Sequence, residues 1–202
     1  MTETILSETE ARALLAHYIP LDETWGAHSV TVARLAGQIA EALAAAGMPV
    51  DPALARTGGL LHDIGRNVTH DGIMHCWEGY RMLLAQGQPL LARFCVVHSS
   101  GGMTAEEAAS VCWPPADYRP TTWEEKAVTI ADGLAHYDSV VCLADRCASV
   151  RERYRDQSSP ARYALILKTE GKIRALMDEV EAIIGQPVEQ LCGAQRLRRT
   201  ED

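Results

Sequence analysis

The chain has 202 residues, 47% of them hydrophobic, and a formal net charge of −8. That length suits one domain with a real core. The acidic balance argues against a general nucleic-acid-binding surface but leaves room for a small phosphorylated substrate held by a few local cations and metals.

A single Phe among abundant Ala and Leu favours helices over sheets. No stretch reaches the ~18 uninterrupted apolar residues of a membrane span. The start, Met1-Thr2-Glu3-Thr4, lacks the basic-then-apolar pattern of a signal peptide, so the expected location is the cytoplasm. The six cysteines, Cys76, Cys95, Cys112, Cys142, Cys147 and Cys192, form no C-x-x-C pair and read as reduced thiols.

Helices are expected near 8–18, 27–46, 52–62, 73–87, 89–99, 104–111, 122–138, 144–156 and 160–184. Their starts are marked by capping boxes, Ser7 with Glu10, Thr104 with Glu107 and Thr122 with Glu125. Asp51-Pro52 and Ser159-Pro160 each put a capping residue before a Pro at the first helical position. Gly47, Gly87 and Gly185 mark helix ends. No run alternates as a strand should, and the Pro-rich stretch from Trp113 to Thr121 is the clearest break. The fold class expected is all-α. The apolar positions Ile166, Ile173, Leu176, Val180 and Ile184 of the last long helix suit core packing, and they permit a homodimer without requiring one.

Polar residues recur on apolar helix faces. His28 shares a stripe with Val32, Leu35 and Ile39, and Asp132 one with Val128, Ala131 and Ala135. His98 follows Leu91, Phe94 and Cys95 at helical intervals. His62 and Asp63 end an apolar run, with Gly58 one turn before, and His75 has Gly79 one turn after, each glycine leaving room beside a histidine. Each residue alone reads best as a satisfied core group. Together, four His and two Asp are costly to bury unless they converge on a cation, and imidazole with carboxylate suits Fe, Mn, Co or Zn better than Ca.

The order His28 … His62-Asp63 … Asp132 resembles the HD superfamily of metal-dependent phosphohydrolases. The run His62-Asp63-Ile64-Gly65, and His75 with Gly79, are similar to its HDIG subgroup. His98-Ser99-Ser100-Gly101-Gly102 and Pro114-Pro115-Ala116-Asp117-Tyr118 resemble a group of compact HDIG proteins. The resemblance covers roughly 25–155 and implies a helical bundle there, with residues 1–24 as an N-terminal helical segment and 156–202 as a C-terminal helix and tail packed on the same domain. It implies a first divalent transition metal on His28, His62, Asp63 and Asp132. A second would be bridged by Asp63 and held by His75 and His98. His70 is the alternative to His75, which the Gly79 match favours.

The activity implied is hydrolysis of a phosphomonoester or phosphodiester by metal-activated hydroxide, with a nucleotide as one candidate substrate. Asp63 would orient the nucleophile. Arg66 would contact the substrate phosphate or pair with an acidic neighbour, and the two readings stand level. Ser99 to Gly102 read as a backbone-amide wall or as a helix end. Lys126 reads as structural or at the pocket rim. Trp25, Trp77, Trp113 and Tyr118 offer a stacking face or ordinary packing. Two rivals remain: a di-iron oxygenase of the same superfamily, which uses the same kinds of ligand to cleave a carbon bond with dioxygen, and a non-catalytic nucleotide- or partner-binding module.

Overall fold

The computed structural model of the chain describes residues 5–197, so the Met1-Thr2-Glu3-Thr4 run lies outside it. The described residues are mainly helical: α1 (Glu8–Tyr18), α2 (Thr24–Ala45), α3 (Pro52–Leu61), α4 (Met74–Ala85), α5 (Pro89–Val97), α6 (Ala105–Ser110) and α7 (Trp123–Leu134), then α8 (Leu143–Tyr154), α9 (Pro160–Ile184) and α10 (Val188–Leu191). The all-α expectation holds. No described helix is long and apolar enough to cross a membrane.

The sequence signals act where they were read. All three capping boxes form, closing α1, α6 and α7 at their starts. Asp51 accepts from the amides of Ala53 and Leu54, and Ser159 from that of Arg162. Helix α9 stops at Gly185, whose φ of 72° is left-handed.

One expected helix is too long. Instead of running to 138, α7 ends at Leu134, and a short antiparallel hairpin follows: β1 (Ala135–His136) and β2 (Ser139–Val140). Its tip puts Tyr137 at φ 57°, a conformation non-glycine residues adopt sparingly. The C-terminal segment returns to this hairpin, the Gln195 amide donating to the Val140 carbonyl at 3.1 Å. Single 3₁₀ turns, Ile64–Asn67 and Ser99–Gly101, were also missed.

Helix α2 is the spine. It packs most closely on α3 and α7, and Val32, Leu35, Ile39 and Leu43 are fully buried. Ile173, Leu176 and Val180 of α9 join the same core, with Ile184 packed against it. A smaller core gathers Ile73, Val97, Met103, Trp113, Tyr118 and Leu165.

The glycines beside the histidines serve a different purpose from the one expected. A Cβ at Gly58 would lie 2.6 Å from the Phe94 ring, and one at Gly79 would lie 3.0 Å from Cys95 Sγ and 3.1 Å from the Gly65 amide nitrogen. Both spaces are filled by packing partners. Gly65 is the tightest: an added Cβ would sit 2.0 Å from the His75 carbonyl oxygen and 2.4 Å from the Gly79 nitrogen, both backbone atoms that cannot yield locally. This contact seats the turn after Asp63 on α4.

Gly65→Ala is therefore expected to lower stability by about 3 kcal/mol or more. Gly171→Ala, on an exposed part of α9 with nothing within 4 Å, should raise it by up to about 1 kcal/mol. Denaturant unfolding of the two variants checks this, and equal effects would contradict the packing account.

Candidate metal centre

Six residues from separate elements converge. His28 comes from the first turns of α2, His62 and Asp63 from the end of α3, His75 from α4, His98 from just beyond α5, and Asp132 from α7. His28 Nε2 lies 3.1 Å from Asp132 Oδ1. His62 Nε2 lies 3.8 Å from both Asp63 Oδ1 and Asp132 Oδ1. Asp63 Oδ1 also faces His75 Nε2 at 2.8 Å and His98 Nε2 at 3.6 Å. The four histidines and Asp63 are buried, while Asp132 keeps a quarter of its side chain open to the cavity.

The backbone decides which nitrogen faces inward. His62 Nδ1 donates to the Gly59 carbonyl at 2.7 Å, His75 Nδ1 to that of Asp71 at 2.7 Å, and His98 Nδ1 to that of Phe94 at 2.8 Å. A carbonyl oxygen can only accept, so each Nδ1 carries the proton and each Nε2 is turned to the centre. This is the arrangement in which a histidine ligates a metal.

His62 Nε2 is buried and has no hydrogen-bond partner. Burial lowers the His62 pKa to about 4, so the ring is neutral near pH 7 and its lone pair is free. A buried, neutral, unpartnered nitrogen among carboxylates fits a cation. The donor atoms His28–His62–Asp132 lie within 4.8 Å of one another, as do those of His62–Asp63–His98.

Asp63 is the most tightly held member. Burial opposes its charge, but Arg66, then His75 and His62, more than reverse that and hold its pKa well below the usual carboxylate range. Arg66 Nε donates to Asp63 Oδ2 at 3.1 Å and its NH1 to the His70 carbonyl at 3.2 Å. Its guanidinium also lies 4.1 Å over the Trp25 ring. The acidic neighbour that Arg66 pairs with is thus Asp63 itself.

Other candidates resolve differently. His70 is exposed and stacks on Trp25 with ring centroids 6.4 Å apart, outside the cluster, so the structure brings in His75 instead. His17 is exposed and packs on Tyr18, and His136 sits at the hairpin. Lys126 pairs with Glu179 and lies 4.4 Å over Trp123, a structural role. The Gly101 and Gly102 amides donate to the His98 and Ser99 carbonyls and so close a helix end, while Ser99 and Ser100 line the cavity. Trp77, Trp113 and Tyr118 pack together in the smaller core, tilted and edge-to-face and away from the cavity, which leaves Trp25 as the one of the four aromatic candidates that lines it.

Two features were missed. Cys76 Sγ lies 3.2 Å from His75 Nε2 and 3.6 Å from His98 Nε2, making a third group of close donors. Burial raises this thiol, but the two histidines outweigh burial and bring it to about 6. Burial likewise lowers His98, yet Cys76 and the carboxylates carry it up to about 9. Cys76 is next to His75 in sequence, but its meeting with His98 depends on how α4 packs on α5. The second feature is a set of arginines. The centre opens into a cavity of about 260 Å³ whose wall includes Arg66, Arg146, Arg153 and Arg162. Arg146 and Arg153 share a helical face with Val150, a spacing visible in the sequence.

The HD domain family matches residues 25–183, further along the chain than the motifs alone reach. An uncharacterized protein of Methanocaldococcus jannaschii is 44% identical over 53% of this chain and 63% of its own length. Two proteins named tRNA (cytidine(56)-2'-O)-methyltransferase are also similar. That of Picrophilus torridus is 29% identical over 81% of this chain and 43% of its own length, and that of Thermoplasma volcanium 28% identical over 68% and 38%. The chain thus spans between 38% and 63% of the length of these curated relatives. No solved structure matches. HD domains bind divalent metals, and the cluster described above offers His and Asp groups suited to holding one. The chain belongs to the HD domain family.

Proposed function

We propose that this protein is a metal-dependent phosphohydrolase acting on a phosphate ester of a small molecule. The observation that carries the reading is the buried, unpartnered His62 Nε2 among converging histidine and aspartate donors. His28, His62, Asp63 and Asp132 would hold one divalent metal, and Asp63, His75 and His98 a second. Bound there, a divalent metal supplies Lewis-acid activation of water and neutralises charge on the phosphoryl oxygens.

The chain's own residues do the rest. Three backbone carbonyls fix the histidine rings, so the donor set is in place before substrate arrives. Asp63 turns Oδ1 to the centre while Arg66 holds Oδ2. Arg66 also lines the cavity, where its remaining N–H groups border the space a phosphate would fill. Arg162 is tied to Asp71 by two bonds of 2.8 Å and closes the wall. Arg146 and Arg153 line the same cavity and form no ion pair among the described residues, and in a chain of net charge −8 they favour an anionic ester over an uncharged substrate. The wall bears on the charge of the substrate and does not separate hydrolysis from the di-iron oxygenase reading, whose organic substrate can be anionic as well. Trp25 presents one ring face to Arg66, so base stacking supports a nucleotide less than the sequence suggested.

The relatives named as methyltransferases leave this reading in place. A match over 81% of this chain includes its middle, where His62, Asp63 and His75 lie, and more than half of that enzyme is unmatched.

Chelator-treated protein should not release p-nitrophenol from p-nitrophenyl phosphate or bis(p-nitrophenyl) phosphate, and adding Mn²⁺, Co²⁺ or Zn²⁺ should restore release. His62→Gln should stay folded by circular dichroism and lose at least about 100-fold in turnover. Dioxygen uptake without p-nitrophenol release would replace this reading with the oxygenase, and no turnover with any metal would favour a binding module. Arg66→Ala should lower both metal affinity and turnover, since it leaves the buried Asp63 carboxylate short of a partner. Unchanged metal affinity, measured by competition with a chelating dye, would contradict that coupling.

A further inference from the structure

Two of the arginines in the cavity wall differ from the other two. Arg66 is paired with Asp63, and Arg162 with Asp71. Arg146 and Arg153 are held by neutral groups instead. Arg146 Nε donates to the Ala135 carbonyl at 2.7 Å, and Arg153 NH2 to the Tyr137 hydroxyl at 2.6 Å. Among the described residues neither forms an ion pair with a carboxylate. Both are half-buried, and they stand two turns apart on one face of α8.

Both partners belong to the hairpin that replaced the end of the expected helix: Ala135 lies in β1 and Tyr137 at the tip. The hairpin fixes the two guanidinium groups without neutralising them. They share a recess with Trp25, His28, His136 and Tyr137. His28 also belongs to the metal centre, so the recess and the centre adjoin.

Two like charges, partly desolvated and fixed on one face without a counter-ion, disfavour the empty state and favour an anion between them. Guanidinium forks pair with phosphoryl oxygens through two bonds at once. A pair of them carries two positive charges, which matches a phosphoryl group at −1.5 to −2 better than a carboxylate at −1. We propose that Arg146 and Arg153 form a second anion subsite beside the metal centre, and that the substrate therefore carries two phosphoryl groups, one placed at the His–Asp cluster and one at this arginine pair. The inference rests on the phosphohydrolase reading for the first group and on the unpaired arginines for the second.

The test uses the full chain loaded with Mn²⁺ and two probes, inorganic phosphate and pyrophosphate, in isothermal titration. Wild-type protein should bind pyrophosphate at least about tenfold more tightly than phosphate. Arg146→Gln and Arg153→Gln should each lose most of that margin, with metal content unchanged. Arg153→Lys should keep part of it. Arg151→Gln, which breaks a pair with Glu170 outside the cavity, should keep all of it. Equal binding of the two probes by wild type, or a margin that survives both glutamine variants, would overturn the second subsite and leave the phosphohydrolase reading standing. Failure of metal-loaded protein to bind either probe would overturn both.

Discussion

The Asp63 carboxylate is the point on which the structure turns. It is buried, it faces three histidine nitrogens through one oxygen, and it is tied to Arg66 through the other. A charge in that position is tolerated only because partners surround it. Every element that supplies a partner must be placed to within an ångström or so. Helix α3 must end where it does, α4 must pack on the Gly65 turn, and α5 must bring His98 across. The Gly65 backbone contact with His75 and Gly79 is the means by which the turn and α4 are locked together. Packing and site are thus one arrangement.

The backbone carbonyls of Gly59, Asp71 and Phe94 give the centre its direction. Without them each histidine could present either nitrogen. With them, three Nε2 atoms point inward and His62 has nothing else to bind. A core built for stability alone would have met that nitrogen with a hydroxyl or a carbonyl. Its being left unpartnered, at full burial, is the observation that suits a cation at this centre.

Helix starts were legible because caps are local: Ser7 with Glu10, or Asp51 before Pro52, act within a few residues of themselves. The metal-centre residues were legible because His and Asp on apolar faces are conspicuous in any helix. The hairpin at 135–140 was not, since nothing in Ala135-His136-Tyr137 breaks a helix by itself. What stops α7 is tertiary: the Val141 amide bonds back to Leu134, and the C-terminal segment pairs with the hairpin's far side. Cys76 was hidden for a similar reason, its approach to His98 being set by helix packing. The aromatic residues misled in the ordinary way, Trp77, Trp113 and Tyr118 having gone to a second core. Arg146 and Arg153 could have been noticed by their spacing, but their lack of carboxylate partners is visible only in three dimensions.

The most direct test of the account is the metal content of protein purified without added metal, measured by elemental analysis for the wild type and for His62→Gln side by side. The account predicts one or two divalent transition metals per wild-type chain and a clear loss in the variant, with the fold intact by circular dichroism. A wild type that takes up no metal even after reconstitution, or a variant that keeps the full complement, would contradict it.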